Sequence, residues 1–227
     1  MKKILLSYPR SGNHLVRFFI ELLTETPTFG CVGIGKQTDV EIYKNIFKKK
    51  INFNISAYDK SECYHKFHCP PVEHTDVEHT DVEYLILIVR NPREVLLRHH
   101  NYKMVTDGDG SFQEYFNIID YYNNFTGKKL LLFYEDILTN KDNFINDICK
   151  IIDFKNNKKI SVIENIEELF VLSSTGKNRS WGGFNSKSEI NYYYKKIPIK
   201  IKAKFDNYLS NKLLDPKYLF IKEKYNL

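Results

Sequence analysis

Short apolar runs alternate along this chain with longer segments in which apolar residues recur at helical spacing. Residues 3–8, 84–89 and 129–133 are runs of mostly Ile, Leu and Val, and they predict buried strands, because strands covered on both faces lack polar alternation. Residues 63–68 form a fourth, less apolar candidate strand, which Pro70 and Pro71 end.

Segments with helical spacing separate and follow these runs. The predicted helices are residues 14–23, 40–50, a helix that begins at Pro92, and residues 111–124, 143–153, 160–172 and 197–213. Asn91 is a typical N-cap residue, and proline is favoured at the first helical position after it. Strands that alternate with helices favour an α/β fold with a mainly parallel central sheet flanked by helices. We expect one domain over residues 1–227.

The chain carries 34 Lys and Arg against 28 Asp and Glu, a net charge of +6. Such a surplus suits an anionic ligand, a nucleic acid or a membrane surface. The lysine-rich stretches at 48–50 and 195–204 do not interleave aromatic residues and glycines as nucleic-acid-binding modules do, so we expect no nucleic-acid partner.

The distribution of apolar residues and cysteines bears on where the protein works. No apolar run approaches the roughly 20 residues that span a bilayer, and we expect no membrane association. The four cysteines are too scattered for a disulfide framework, which favours a reducing compartment. We therefore expect a cytoplasmic protein.

Polar motifs follow three of the predicted strands, at residues 9–14, 90–93 and 134–136. In parallel α/β sheets, ligands bind beyond the carboxyl ends of the strands. The three motifs therefore predict one site at that edge of the sheet.

The first motif is YPRSGNH, residues 8–14, between a predicted strand and a predicted helix. A loop that enters a helix start directs backbone N–H groups at an anion, and Arg10 adds a forked cation. The motif is not a Walker A loop, because the second glycine and the Lys-Ser/Thr pair are missing. Taken alone, the motif fits an anion-binding loop or an ordinary turn.

Four motifs in the same order resemble those of the PAPS-dependent sulfotransferase family, where PAPS is 3′-phosphoadenosine-5′-phosphosulfate. YPRSGNHLVRF (8–18) resembles the family's 5′-phosphosulfate loop, YPKSGTTW. KFHCP (66–70) is similar to its K-x-H-x-P strand end, and IVRNPREVLLRHH (88–100) to its 3′-phosphate motif. LLLFYEDI (130–137) matches its F-Y-E-D strand end. Together they cover a little over half of the chain.

The resemblance implies a single α/β domain like that of P-loop nucleotide kinases, and a sulfotransferase activity. The enzyme would move the sulfuryl group of PAPS to a hydroxyl or amine of a small-molecule or glycan acceptor and release PAP, with no metal. His68 would be the general base, and Lys66 would help to neutralise the sulfuryl group. Arg10 would hold the 5′-phosphate and the sulfate bridge. The remaining PAPS-binding residues would be Ser11, Gly12, Asn13 and His14 at the 5′-phosphate, Arg90 at the 3′-phosphate and Tyr134 near the adenosine.

The chain departs from the family pattern in several places. Asn13 and His14 replace two threonines, and Arg98 stands where a serine usually contacts the 3′-phosphate. The family's R-K-G-x-x-G-D-W segment survives only as STGKNRSW, residues 174–181, without the leading basic pair. Lys177, Arg179 or Arg98 would replace that pair.

Three other interpretations remain open at this stage. An ATP-dependent phosphotransferase would share the fold and the anion loop, although no Walker lysine is visible. An inactive relative would bind PAP or another anion without turnover. A zinc-binding module could use Cys63, His65, His68 and Cys69, although their spacing matches no common zinc pattern.

Overall fold

The computed structural model describes residues 2–29, 63–71, 82–100, 110–175 and 192–227. Within these ranges the sheet consists of β1 (Lys2–Ser7), β2 (Tyr64–Phe67), β3 (Val82–Val89) and β4 (Lys128–Phe133). Their order is β2-β1-β3-β4, and every neighbouring pair is parallel. The prediction of a parallel α/β sheet is confirmed.

The helices fill the connections between the strands and continue after β4. They are α1 (Asn13–Thr24), α2 (Pro92–His100), α3 (Gly110–Asn124), α4 (Tyr134–Thr139), α5 (Lys141–Ile148), α6 (Asn156–Glu164), α7 (Ile166–Thr175), α8 (Tyr192–Lys196), α9 (Ile199–Lys212) and α10 (Leu219–Tyr225). A 3₁₀ turn, Pro216–Tyr218, precedes α10. No helix in the described ranges is both long enough and apolar enough to cross a membrane.

Each face of the sheet carries its own hydrophobic core, because alternate strand residues point to opposite faces. Leu5 belongs to a core that it shares with α1, α5, α6 and α7. Ile4 and Leu6 belong to the other core, which includes residues of α2, α3, α9 and α10. The sheet is therefore the middle layer of three.

The helices that follow the two central strands, β1 and β3, pack on opposite faces of the sheet. The chain leaves β1 into α1 on one face, and it leaves β3 into α2 on the other. This divergence is the topological switch point of an open α/β sheet, where a crevice opens beyond the strand ends. The motifs at residues 9–14 and 90–93 lie on its two sides.

The start of α2 confirms the predicted cap. Asn91 Oδ1 accepts a hydrogen bond from the Arg93 N–H at 2.9 Å, and the Asn91 carbonyl accepts from the Glu94 N–H at 2.9 Å. The cap satisfies a backbone donor that a helix start otherwise leaves without a partner.

Two predicted helices differ from the structure. The predicted helix at 160–172 is divided between α6 and α7, because the Asn165 side chain donates to the Ser161 carbonyl at 2.8 Å and ends the first of them. The predicted helix at 143–153 stops at Ile148 and continues as turns. The segment 40–50 lies outside the described residues, and α4, α8 and α10 have no counterpart among the predicted helices.

A substitution at Phe19 tests the packing of the core between the sheet and α1. Its ring is fully buried and lies 5.2, 5.4 and 4.9 Å from those of Phe18, Phe144 and Phe170, centroid to centroid. We expect Phe19→Ala to lower the free energy of unfolding by about 3–5 kcal/mol, measured by urea denaturation. Val171→Ala, at a site 61% exposed on α7, should change it by less than about 0.5 kcal/mol. Equal effects of the two changes would contradict this description of the core.

Candidate functional site

The parallel register brings the ends of the four strands to one edge of the sheet. Ser7 lies beside Ile88, and Val89 lies beside Phe133. Leu6 lies beside Phe67, one residue before His68. The segments that carry the sequence motifs therefore leave the sheet side by side, as the sequence predicts.

The loop after β1 turns sharply before α1 begins. Arg10 and Gly12 both have left-handed backbones, with φ of 72° and 91°, and the Ser11 N–H donates to the Tyr8 carbonyl at 3.2 Å. Gly12 is the N-cap of α1 and contributes no side-chain cap. The first turn of α1 thus presents backbone donors and the positive end of the helix dipole at the site edge, where His14 is exposed.

Ser7, the last residue of β1, connects the loop with His68. Its Oγ accepts a hydrogen bond from Asn13 Nδ2 at 2.9 Å, and its carbonyl oxygen lies 2.7 Å from His68 Nδ1. A carbonyl oxygen can only accept, so Nδ1 carries the hydrogen, and a neutral ring keeps its lone pair on Nε2. His68 is therefore held in the tautomer that can take a proton at Nε2.

Lys66 lies in β2, two residues before His68, and both side chains are half-buried. The Lys66 N–H donates to the Phe29 carbonyl at 2.8 Å, which fixes this part of the strand from its outer side. The structure thus places Lys66 on the strand next to β1 and His68 directly after that strand.

Arg90 joins the second motif to the first. It follows β3, is only 6% exposed, and donates from Nη1 to the Arg10 carbonyl at 3.0 Å. Its guanidinium lies 4.3 Å from the centroid of the Tyr134 ring, a cation–π distance, and Nη2 is 3.7 Å from Glu94 Oε1. These contacts hold the Arg90 guanidinium in one orientation beside the loop at residues 8–14.

Tyr134 begins α4 and closes the space between Arg90 and the loop. Its ring is buried, and a side chain added at Gly12 would overlap it. Burial raises the pKa of Tyr134, and the positive charges of Arg90 and Arg98 only partly oppose the shift. Arg98 is half-buried, and its positive charge lowers the pKa of the same ring as that of Arg90 does.

Several buried polar atoms at this edge retain unused hydrogen-bonding capacity. Among the described residues, Ser11 Oγ, Asn13 Oδ1 and Arg90 Nε are buried and have no partner within the protein. Such atoms are destabilising unless something binds them, by about 1–3 kcal/mol each. They are suited to a polar ligand that enters between the two motifs.

Three further basic residues of the motifs need a separate account. Lys177 and Arg179 are outside the described residues, so their predicted role stays a prediction. Arg93 turns away from Arg90, because its Nη2 lies 3.5 Å from Asp206 Oδ1 and its guanidinium 4.9 Å from the Tyr194 ring centroid. In the part of the chain that the structure describes, no three His, Cys, Asp or Glu side chains are grouped to hold a metal ion.

Ser7, Tyr115 and Glu135 also hold this edge of the sheet but are not among the predicted site residues. The Tyr115 hydroxyl donates to the Arg90 carbonyl, and Glu135 Oε1 accepts from the Asn91 N–H. Ser7 ends a strand like many other serines, and Tyr115 lies on the buried face of a helix, so its pattern indicates only a core position. Glu135 belongs to the F-Y-E-D motif, and that motif was the only available signal for it.

Comparison with solved structures shows which fold this arrangement belongs to. Mouse sulfotransferase SULT7A1, solved as a complex with PAP, superposes with a TM-score of 0.59 at 14% identity, over 98% of this chain and 88% of that one. This chain has the sulfotransferase fold. Retinol dehydratase, solved with androsterone and the inactive cofactor PAP, gives a TM-score of 0.57 at 14% identity, over 94% of this chain and 81% of that one. No protein-family model and no curated protein matches the sequence.

Within this sulfotransferase fold, the contact between Gly12 and Tyr134 gives a test of the site's packing. We expect Gly12→Ala to lower the free energy of unfolding by more than about 2 kcal/mol, because it adds a clash to a left-handed backbone. Tyr134→Ala should remove the clash but leave the backbone penalty. The double variant should therefore lose at least about 1 kcal/mol less than the sum of the single variants in urea denaturation. Strictly additive effects would show that the two residues do not meet.

Proposed function

We propose that this chain is a sulfotransferase that moves the sulfuryl group of PAPS to a hydroxyl or amine of an acceptor. The observation that carries the proposal is the convergence of the loop at residues 8–14 and Arg90, joined by the 3.0 Å hydrogen bond from Arg90 to the Arg10 carbonyl. Two solved neighbours of the same fold bind PAP, the product that remains after the sulfuryl group has left PAPS.

The loop and the start of α1 are suited to the 5′-phosphosulfate. An anion at this helix start would meet backbone N–H groups, the positive helix end and the buried Ser11 hydroxyl. Arg10 adds a cation, and Asn13, whose Nδ2 donates to Ser7 Oγ, contributes a backbone N–H of the first helical turn. In this proposal, Gly12 and His14 complete the turn around the 5′-phosphate.

Arg90 is suited to the 3′-phosphate because it is buried, charged and already oriented. The Arg10 carbonyl and the Tyr134 ring hold its guanidinium, which leaves Nε without a partner. A forked guanidinium recognises a phosphate with two parallel hydrogen bonds. Arg98, whose charge reaches Tyr134, is proposed as the second cation there, with Tyr134 near the adenosine.

His68 is proposed as the general base. PAPS supplies an activated sulfuryl group. As the acceptor oxygen or nitrogen bonds to sulfur, the bond from sulfur to the bridging phosphate oxygen breaks, and its electron pair stays on PAP. The acceptor's proton passes to His68 Nε2, the atom that the hydrogen bond from Nδ1 to the Ser7 carbonyl leaves able to accept it.

Lys66 and Arg10 are proposed to neutralise the charge that develops on the sulfuryl oxygens and the leaving phosphate. Cations placed in advance around developing charge stabilise a transition state without rearranging during the reaction. The acceptor is proposed to be a small molecule or a glycan, since the chemistry requires only a hydroxyl or an amine beside His68.

The 3′-phosphate assignment can be tested by comparing PAP with AMP, which lacks that phosphate. We expect PAP to bind far more tightly in calorimetry, and Arg90→Ala to remove most of the difference, a loss of about 10- to 100-fold in PAP affinity. Arg93→Ala is the matched control: that arginine lies three residues away but contacts Asp206, so the PAP/AMP ratio should not change. Equal affinities for PAP and AMP in the unmodified protein would contradict the proposal, and tighter binding of ATP would favour a phosphotransferase.

His68→Asn tests the base, because asparagine can still donate to the Ser7 carbonyl but cannot accept the proton. We expect PAP binding and the melting temperature to be retained and turnover to fall by at least about 100-fold. Turnover is measured as PAP release from PAPS with a panel of phenols, alcohols and amines. The variant His65→Asn should keep its activity, because His65 lies within β2 and its ring stacks on Phe29, with centroids 5.3 Å apart. Normal turnover in folded His68→Asn protein would exclude His68 as the base.

A further inference from the structure

The backbone on both sides of the Arg90 side chain is held by side chains from other elements. The Arg90 carbonyl accepts a hydrogen bond from the Tyr115 hydroxyl of α3 at 2.9 Å. The next N–H, that of Asn91, donates to Glu135 Oε1 of α4 at 3.2 Å. The direction in which Arg90 leaves β3 therefore depends on residues that lie outside the β3–α2 motif.

Tyr225, near the end of α10, holds the same carboxylate. Its hydroxyl donates to Glu135 Oε2 at 2.7 Å and also lies 3.4 Å from the Val89 carbonyl. A hydroxyl has one hydrogen, and a carboxylate is the stronger acceptor, so the bond to Glu135 dominates. Glu135 is thus fixed through both oxygens, one by the backbone beside Arg90 and the other by α10.

The position of α10 is itself well determined. Phe220 and Tyr225 pack on Phe133, the last residue of β4, with ring centroids 6.3 and 6.0 Å apart. Lys224 forms an ion pair with Asp136 in the first turn of α4, at 2.5 Å. The helix therefore lies across the ends of β4 and β3, where it can hold Glu135 in place.

Tyr225 acts as a hydrogen-bond donor throughout the physiological pH range. Burial raises its pKa, and the negative charge of Glu135 raises it further. Deprotonation of the phenol would place two negative oxygens in contact, so the hydroxyl stays protonated and the carboxylate keeps its partner.

We propose that Tyr225 is a positioning residue of the 3′-phosphate site: through Glu135 it orients the end of β3 from which Arg90 reaches the phosphate. The inference rests on the proposed function and deepens it. It connects α10 to the PAPS site through the hydrogen bonds of Glu135. Its specific consequence is that the Tyr225 hydroxyl contributes to the preference for PAP over AMP.

The test is Tyr225→Phe, with the affinities of PAP and AMP measured by calorimetry. We expect the PAP/AMP affinity ratio to fall by roughly 3- to 10-fold, the effect of one hydrogen bond, with AMP binding nearly unchanged. Glu135→Ala should lower the ratio in the same way. The double variant should be no worse than the more affected single variant, because the two residues act in series.

Tyr218→Phe is the matched control, since its hydroxyl also donates to a carboxylate, Asp120 Oδ1, at 2.8 Å. That pair joins α3 to the 3₁₀ turn before α10 and does not include Glu135, so the variant should lose stability without a change in the PAP/AMP ratio. If the unmodified protein prefers PAP and Tyr225→Phe keeps the full ratio, the inference is wrong and the proposed function stands. Equal losses of the ratio in Tyr218→Phe and Tyr225→Phe would also overturn it. If the unmodified protein bound PAP and AMP equally well, the proposed function itself would be contradicted.

Discussion

The parallel pairing of β1 with β3 is the constraint on which the candidate site depends. Because Ser7 is paired with Ile88, β1 and β3 end at the same edge of the sheet. The helices that follow them pack on opposite faces. A one-residue slip would turn every side chain of a strand to the wrong core, so burial on both faces keeps the register. The distance between Arg10 and Arg90 is thus fixed by apolar residues that have no chemical role.

Two sets of contacts, made by Ser7 and by Arg90, orient the side chains at this edge of the sheet. Ser7 holds Asn13 with its hydroxyl and His68 with its carbonyl, so the loop and the candidate base share one anchor. Arg90 is oriented by the Arg10 carbonyl and the Tyr134 ring. Its guanidinium is therefore desolvated and oriented during folding, and a ligand that binds there needs little rearrangement.

The features that sequence analysis could predict are those that depend on local pattern. Continuous apolar runs predict β1, β3 and β4, and the polar residues after them predict a site at the strand ends. Asn165, which divides one predicted helix in two, acts through a local bond that many asparagines in helices do not form. The role of Tyr225 depends on Glu135, 90 positions earlier, so it became visible only once the chain was folded. The resemblance to sulfotransferase motifs indicated the fold that the structural comparison shows, although sequence identity to the neighbours is only 14%.

At Arg10, the backbone conformation that is unfavourable for stability belongs to a residue whose side chain is proposed to bind the ligand. A residue with a Cβ at φ of 72° costs about 1–2 kcal/mol, and glycine would largely avoid that penalty. Glycine would also remove a cation from the loop. Sequence design that optimises only the folded state should therefore replace Arg10, and a library selected for heat resistance should lose the proposed anion contact there.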